Sequence, residues 1–114
     1  MKRQKKHLIV IPAFNEEDAL PATVESLQDL PEDQFEVLIV DDGSEDGTAE
    51  LVESIVHQSR LKTHIVHLAV NCGIGVAVQT GYRFAEITGE WHYVIQFDGD
   101  GQHDAATDRP DARQ

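Results

Sequence analysis

Two aspartates separated by a single glycine, Asp98 and Asp100, open the run Asp98-Gly-Asp-Gly-Gln-His103 directly after an apolar stretch that ends at Phe97. Carboxylates at that spacing offer hard oxygen donors to Mg²⁺ or Mn²⁺ while leaving coordination positions open for diphosphate oxygens. A cation held there neutralises a leaving diphosphate. Gly99 and Gly101 let the backbone turn tightly around an ion, and Gln102 adds a neutral oxygen. An isolated D-x-D is more often an acidic turn than a metal site. Its position after a buried strand, with three other polar strand ends in the chain, favours the metal.

Those other ends are Pro12-Ala-Phe-Asn-Glu-Glu17, Asp41-Asp-Gly-Ser-Glu-Asp-Gly-Thr48 and Asn71-Cys-Gly-Ile-Gly75. Asp41 and Asp42 follow Val37-Leu-Ile-Val40, so at least one carboxylate points toward the same rim, where it can bond a base or ribose. The structural alternative is a turn and helix cap built from Asp42, Ser44, Asp46 and Thr48, and the two uses are compatible. Gly73-Ile-Gly75 places backbone N–H groups where they can meet a phosphate. That signal is weak alone, because Val78 stands where the dinucleotide fingerprint has its third glycine.

The elements that must position these loops read as alternating strands and helices, the pattern of β-α-β units and a parallel sheet. Strands are expected at His7–Pro12, Phe35–Asp41, Thr63–Leu68 and His92–Asp98, the first two covered on both faces because their apolar runs are nearly continuous. A first helix carries Leu20, Val24 and Leu27, with Asp18 as cap and Pro21 in its first turn, and ends near Leu30-Pro31. A second carries Leu51, Val52, Ile55 and Val56. The third, from about Gly75, carries Ala77, Gly81, Phe84 and Ala85, its small residues allowing close approach to the sheet.

With 114 residues, 40% of them hydrophobic, the chain can build one core. Residues 1–6 read as a basic extension, 7–104 as the domain, and 105–114 as a disordered polar tail without a large apolar residue. Nine basic against 21 acidic residues, a formal charge of −12, argue against a nucleic-acid partner. Leu8-Ile-Val-Ile11 is too short for an export signal or a transmembrane segment. The single cysteine, Cys72, read as a small half-buried side chain, fits a reducing, cytoplasmic compartment. The six histidines show no metal-ligand spacing, and His64 and His67 lie at opposite parities of one strand.

Taken together, Val10-Ile-Pro-Ala-Phe-Asn-Glu-Glu17, Val40-Asp-Asp-Gly-Ser-Glu-Asp-Gly-Thr48, Asn71-Cys-Gly-Ile-Gly-Val-Ala-Val-Gln-Thr-Gly81 and Gln96-Phe-Asp-Gly-Asp-Gly-Gln-His103 resemble the four ordered motifs of glycosyltransferase family 2, particularly its dolichyl- or polyprenyl-phosphate sugar synthase branch. The resemblance covers residues 7 to 104. It implies an α/β GT-A fold, a Rossmann-like three-layer sandwich truncated to a mostly parallel sheet of about four strands. It further implies inverting transfer from a UDP- or GDP-sugar to an acceptor such as a lipid phosphate at the cytoplasmic face of a membrane. By position, Pro12, Ala13 and Glu16 line the nucleotide pocket, and Asp42 contacts base or ribose. Gly73 and Gly75 face the phosphates, while Asp98, Asp100 and Gln102 hold Mg²⁺ or Mn²⁺. No catalytic base is identifiable, His103 being a neighbour of the metal motif, and nothing after Asp104 matches the family's acceptor-side stretch.

Three competing readings stand beside it. Asp42, Ser44, Asp46, Gly47 and Glu53 fall at EF-hand loop positions, although the strand-like Phe35–Val40 replaces the entering helix. Asp98-Gly-Asp-Gly101 also fits a haloacid-dehalogenase-type phosphatase, which needs its main sheet after that point. The third is an inactive truncated homologue or interaction fragment.

Overall fold

In the computed structural model, which describes residues 5–89 and 91–97, strands and helices alternate in the order β1 (Lys6–Ala13), α1 (Leu20–Glu25), β2 (Phe35–Asp41), α2 (Thr48–Gln58), β3 (Thr63–His67), α3 (Ile74–Thr88) and β4 (Trp91–Gln96). The four strands form one parallel sheet, ordered β3-β2-β1-β4. The two central strands are those whose apolar runs are least interrupted. Alternation then divides their side chains between two cores.

Ile9, Ile11, Val37 and Ile39 pack with Leu20 and Val24 of α1 and Val52 and Ile55 of α2 on one face. Leu8, Val10, Leu38 and Val40 pack with Ala77 and Ala85 of α3 on the other. Right-handed crossovers produce this division. From β1 the chain steps in one direction to β2 and β3, which puts α1 and α2 on one face. It then returns past β1 to β4, which puts α3 on the opposite face. The reversal falls between β1 and β4, and an open sheet of this kind gathers its ligand loops at the carboxyl ends beside such a reversal.

The close approach of α3 depends on Gly81, because a Cβ there would lie 2.4 Å from Val10 Cγ1. The helix ends at Gly89 in the left-handed region, φ 64°, with its N–H donated to Ala85 O. That is the expected use of glycine as a helix terminator.

Several expectations need correction. The first helix stops at Glu25, capped at Ala19 without a side-chain bond. From there tighter bonds, Leu27 N–H to Val24 O and Gln28 N–H to Glu25 O, carry the chain. Arg60 fixes this end by donating to the carbonyls of Gln28 and Leu30. Leu27 nevertheless joins the core and Leu30 packs against it. Lys6 belongs to β1 rather than to an extension, its ammonium 3.3 Å from Glu36. Glu36 is buried, which opposes its charge, but hydrogen bonds from His64 and Lys6 outweigh burial and hold its carboxyl below the ordinary range. The third strand ends at His67 and the fourth spans Trp91–Gln96, so Asp98 lies outside the described residues, as do Asp100, Gln102, His103 and the tail.

Candidate functional site

The carboxyl ends of β1 and β2 lie side by side because Ala13 and Asp41 are partners in register. The loops leaving them are stitched together. Asn15 takes a positive φ of 52°, a conformation asparagine tolerates better than most residues. Its Oδ1 accepts from Glu45 N–H at 2.8 Å and Asp46 N–H at 3.3 Å, while its own N–H donates to Ser44 Oγ at 3.0 Å. Glu16 N–H donates to Thr48 Oγ1 at 2.9 Å, and Gly47 N–H to Glu17 Oε1 at 3.2 Å. The N-cap of α2 is Gly47, without a side-chain cap, and the expected turn is closed one residue earlier by Asp46, whose Oδ1 accepts from Thr48 N–H at 2.9 Å. Desolvation opposes its charge, but the hydrogen bonds from the Thr48 hydroxyl, Thr48 N–H and Glu17 N–H together outweigh it and hold its carboxyl below the ordinary range.

Asp42 does a different job. It is 2% exposed and gathers the loop before α3. Oδ1 accepts from Cys72 N–H at 2.8 Å; Oδ2 accepts from Gly73 N–H at 2.9 Å and Asn71 Nδ2 at 3.0 Å. Gly43 makes room for this approach: a Cβ there would lie 2.3 Å from the Val70 carbonyl carbon, and its φ of 68° suits glycine. Three loops from three strand ends therefore form one rigid rim.

Between them opens a cleft of about 190 Å³ lined by Pro12, Ala13, Phe14, Glu16, Asp42, Asn71, Ile74 and Ala77. Pro12, Ala13, Glu16 and Asp42, singled out in the sequence, thus meet in one place. Gly73 and Gly75 sit at the entrance of α3 without lining the cleft, and the Gly73 N–H is already given to Asp42 rather than free for a phosphate. Phe14, Asn71 and Ile74 line it too and were not nominated. An asparagine at a strand end was the one available signal. Cys72 is exposed rather than half-buried, since its backbone turns inward to Asp42 and its side chain turns out.

The EF-hand alternative fails here. The residues before Asp42 are a strand, and the Asp42 carboxylate is taken up by the loop 71–73. The phosphatase alternative turns on Asp98 and Asp100, which lie outside the described residues. Among the described residues no group of three or more His, Cys, Asp or Glu is placed to hold a metal ion.

On the outer side of the rim, His67 Nδ1 meets Asp41 Oδ2 at 2.8 Å and Nε2 meets Glu53 Oε2 at 2.9 Å. The hydrogen bond to Asp41, then that to Glu53, raises the imidazole above its ordinary value despite partial burial. His64 turns to Glu36 instead, at 2.7 Å, so the two histidines serve separate partners.

Residues 8–109 match the family model for glycosyl transferase family 2, and the chain belongs to that family. A curated relative, undecaprenyl-phosphate mannosyltransferase of Micrococcus luteus, is 34% identical over 97 residues, covering 84% of this chain and 38% of the relative. Among solved structures, TarS of S. aureus with UDP superposes with a TM-score of 0.72 at 30% identity, covering 83% of this chain and 27% of that one. Mannosyltransferase PcManGT of Pyrobaculum calidifontis, solved with GDP-Man and Mn²⁺, gives 0.73 at 26% identity, covering 85% and 28%. The sandwich is a GT-A fold. The chain spans about two fifths of the length of the curated relative and about a quarter of these solved chains.

Proposed function

We propose that the cleft is the donor site of a sugar transferase and receives the nucleoside part of a UDP- or GDP-sugar. One observation carries the reading. The cleft stands at the carboxyl ends of the central strands, beside the reversal of strand order, in a fold shared with transferases solved with UDP and with GDP-Man. Pro12, Ala13, Glu16 and Asp42 line it, and Gly75 stands in the first turn of α3, where a backbone N–H can meet a phosphate.

Asp98, Asp100 and Gln102 supply the oxygen donor set for Mg²⁺ or Mn²⁺. The fit rests on where β4 ends: Phe97 N–H donates to Val10 O at 2.8 Å, which holds Phe97 beside β1, the strand whose end opens into the cleft. A cation held by these residues would supply charge neutralisation for the departing diphosphate. The chain's own residues hold the nucleoside, fix the diphosphate end near the rim, and keep the sugar accessible from solvent. Transfer with inversion is a single displacement at the anomeric carbon. A polyprenyl phosphate arrives already ionised and needs no base to become a nucleophile. We assign that transfer, at the cytoplasmic face of a membrane, to the whole protein. Among the described residues no helix is long and apolar enough to cross a membrane.

Calorimetric titration with UDP and with GDP, each with and without Mn²⁺, tests the reading. The expected result is cation-dependent binding that the Asp98→Ala/Asp100→Ala double variant loses. No binding by the folded chain overturns it.

A further inference from the structure

His67 ends β3 and joins two elements through its two ring nitrogens: Nδ1 meets the buried Asp41 at the end of β2, and Nε2 meets Glu53 of α2. Each partner leads to the loop after β1 by its own chain of contacts. Asp41 Oδ1 accepts from Ser44 N–H at 3.1 Å, and Ser44 Oγ in turn accepts from Asn15 N–H at 3.0 Å. Glu53 lies on the helix whose first residue, Thr48, accepts from Glu16 N–H at 2.9 Å. Asn15 stands between Phe14 and Glu16, both of which line the cleft. The imidazole itself lies outside the cleft, in a separate hollow of about 390 Å³ whose other ionisable liners are Asp41 from β2 and Glu50 and Glu53 from α2. Every charged group facing the ring there is an acid, and no cation lines the hollow among the described residues.

A neutral imidazole has one N–H, so it donates to Asp41 or to Glu53 and turns a lone pair toward the other carboxylate, whereas the imidazolium donates to both. The buried Asp41 loses more from an unmet bond than the exposed Glu53, so the neutral ring keeps its N–H on Asp41 and lets Glu53 go. We propose that His67 is a positioning residue of the donor site, a proton-operated clasp that ties α2 to the end of β2 and so fixes residues 14–16 beside the nucleotide. The inference rests on the donor-site reading above. Hydrogen bonds to Asp41 and then to Glu53 hold the ring above its ordinary value of 6.5, so the clasp is mostly shut at that pH and opens as pH rises through the raised value. The shut form binds nucleotide more tightly, and reciprocity then requires that nucleotide binding draw a proton onto the chain.

The test is calorimetric titration of the 114-residue chain with UDP and with GDP in Mn²⁺ at pH 6.5 and pH 8.5, repeated midway between them in buffers of different ionisation enthalpy to count protons. Wild-type affinity for the nucleotide that binds is expected to fall by about fivefold or more from the lower pH to the higher, relative to His67→Gln. Binding by the wild type should also take up protons, whereas the diphosphate's own ionisation can only release them. His67→Gln cannot ionise and should bind at the weaker level at both pH values with no uptake. His67→Arg, charged throughout and carrying a fork of donors for two carboxylates, should hold the tighter level at both. The uptake measurement needs no variant, so it decides the matter even where a substitution unfolds the chain.

Nucleotide binding by the wild type without proton uptake, or with a pH dependence that His67→Gln shares, overturns the clasp while leaving the donor site standing. Failure of the folded wild-type chain to bind either nucleotide at either pH overturns the donor site and this inference with it.

Discussion

His67 and His7 respond to protons in opposite directions. Asp41, then Glu53, favour the His67 imidazolium, so its folded value is raised above 6.5. The stability it contributes is present below that unfolded value and lost as pH rises through the folded one. His7 is held low, first by burial and then by the neighbouring His92. Its Nδ1 has no hydrogen-bond partner among the described residues, and its ring sits 5.0 Å from Phe35 and 5.5 Å from Tyr93. Protonation of His7 is disfavoured in the folded chain, so its contribution falls as pH drops below 6.5. The two slopes fall on either side of 6.5, the His7 loss below it and the His67 loss above it. We expect His67→Gln to lower the melting temperature more at pH 6 than at pH 8.5, and His7→Phe to remove the acid-side loss; thermal melts across that range check both. At Gly43, a Cβ would collide with the Val70 backbone at a positive φ. Gly43→Ala should cost at least about 1 kcal/mol, read by urea denaturation.

At the scale of elements, two glycines of α3 should respond to alanine with opposite signs. Alanine is the better helix former by up to about 1 kcal/mol. At Gly75 an added Cβ meets nothing within 4 Å, so Gly75→Ala should stabilise. At Gly81 it meets Val10 at 2.4 Å, a β-branched side chain 1% exposed and unable to yield. Gly81→Ala should destabilise despite propensity, and the pair of midpoints in urea decides. The same helix was legible in the sequence because Ala77, Gly81 and Ala85 mark its buried stripe. The central strands were legible because Leu8-Ile-Val-Ile11 and Val37-Leu-Ile-Val40 leave no polar face to solvent. The end of α1 was not, because it is set by Arg60, some thirty residues away in sequence. The cleft was half legible: motif residues converged as expected, but Asn15, Asn71 and Asp42 act through contacts between loops, which spacing along one chain does not encode. Asn15→Ala should remove an acceptor shared by Glu45 and Asp46 and cost about 1 kcal/mol. If the loops act as one body, nucleotide affinity should fall with it in the same titrations.

For the molecule as a whole, a formal charge of −12 makes the folded state repel itself at low ionic strength. Melting temperature should rise from 10 to 150 mM NaCl, since the screening length shortens from about 30 Å at 0.01 M to about 8 Å. UDP with Mn²⁺ should add to it as mass action requires, about 2.7 kcal/mol at a hundredfold excess over Kd. The strand order has a consequence in time. β1 pairs with β2, close behind it in sequence, and with β4, which a ribosome delivers much later. The face of the sheet carrying Leu8, Val10, Leu38 and Val40 is covered by α3, which also emerges late. A nascent chain that has released β1, α1, β2, α2 and β3 can zip up three strands while that greasy face stays bare. Synthesis thus passes through an interval in which one of the two future cores is open to holdase chaperones or to other nascent chains, and the emergence of α3 closes it.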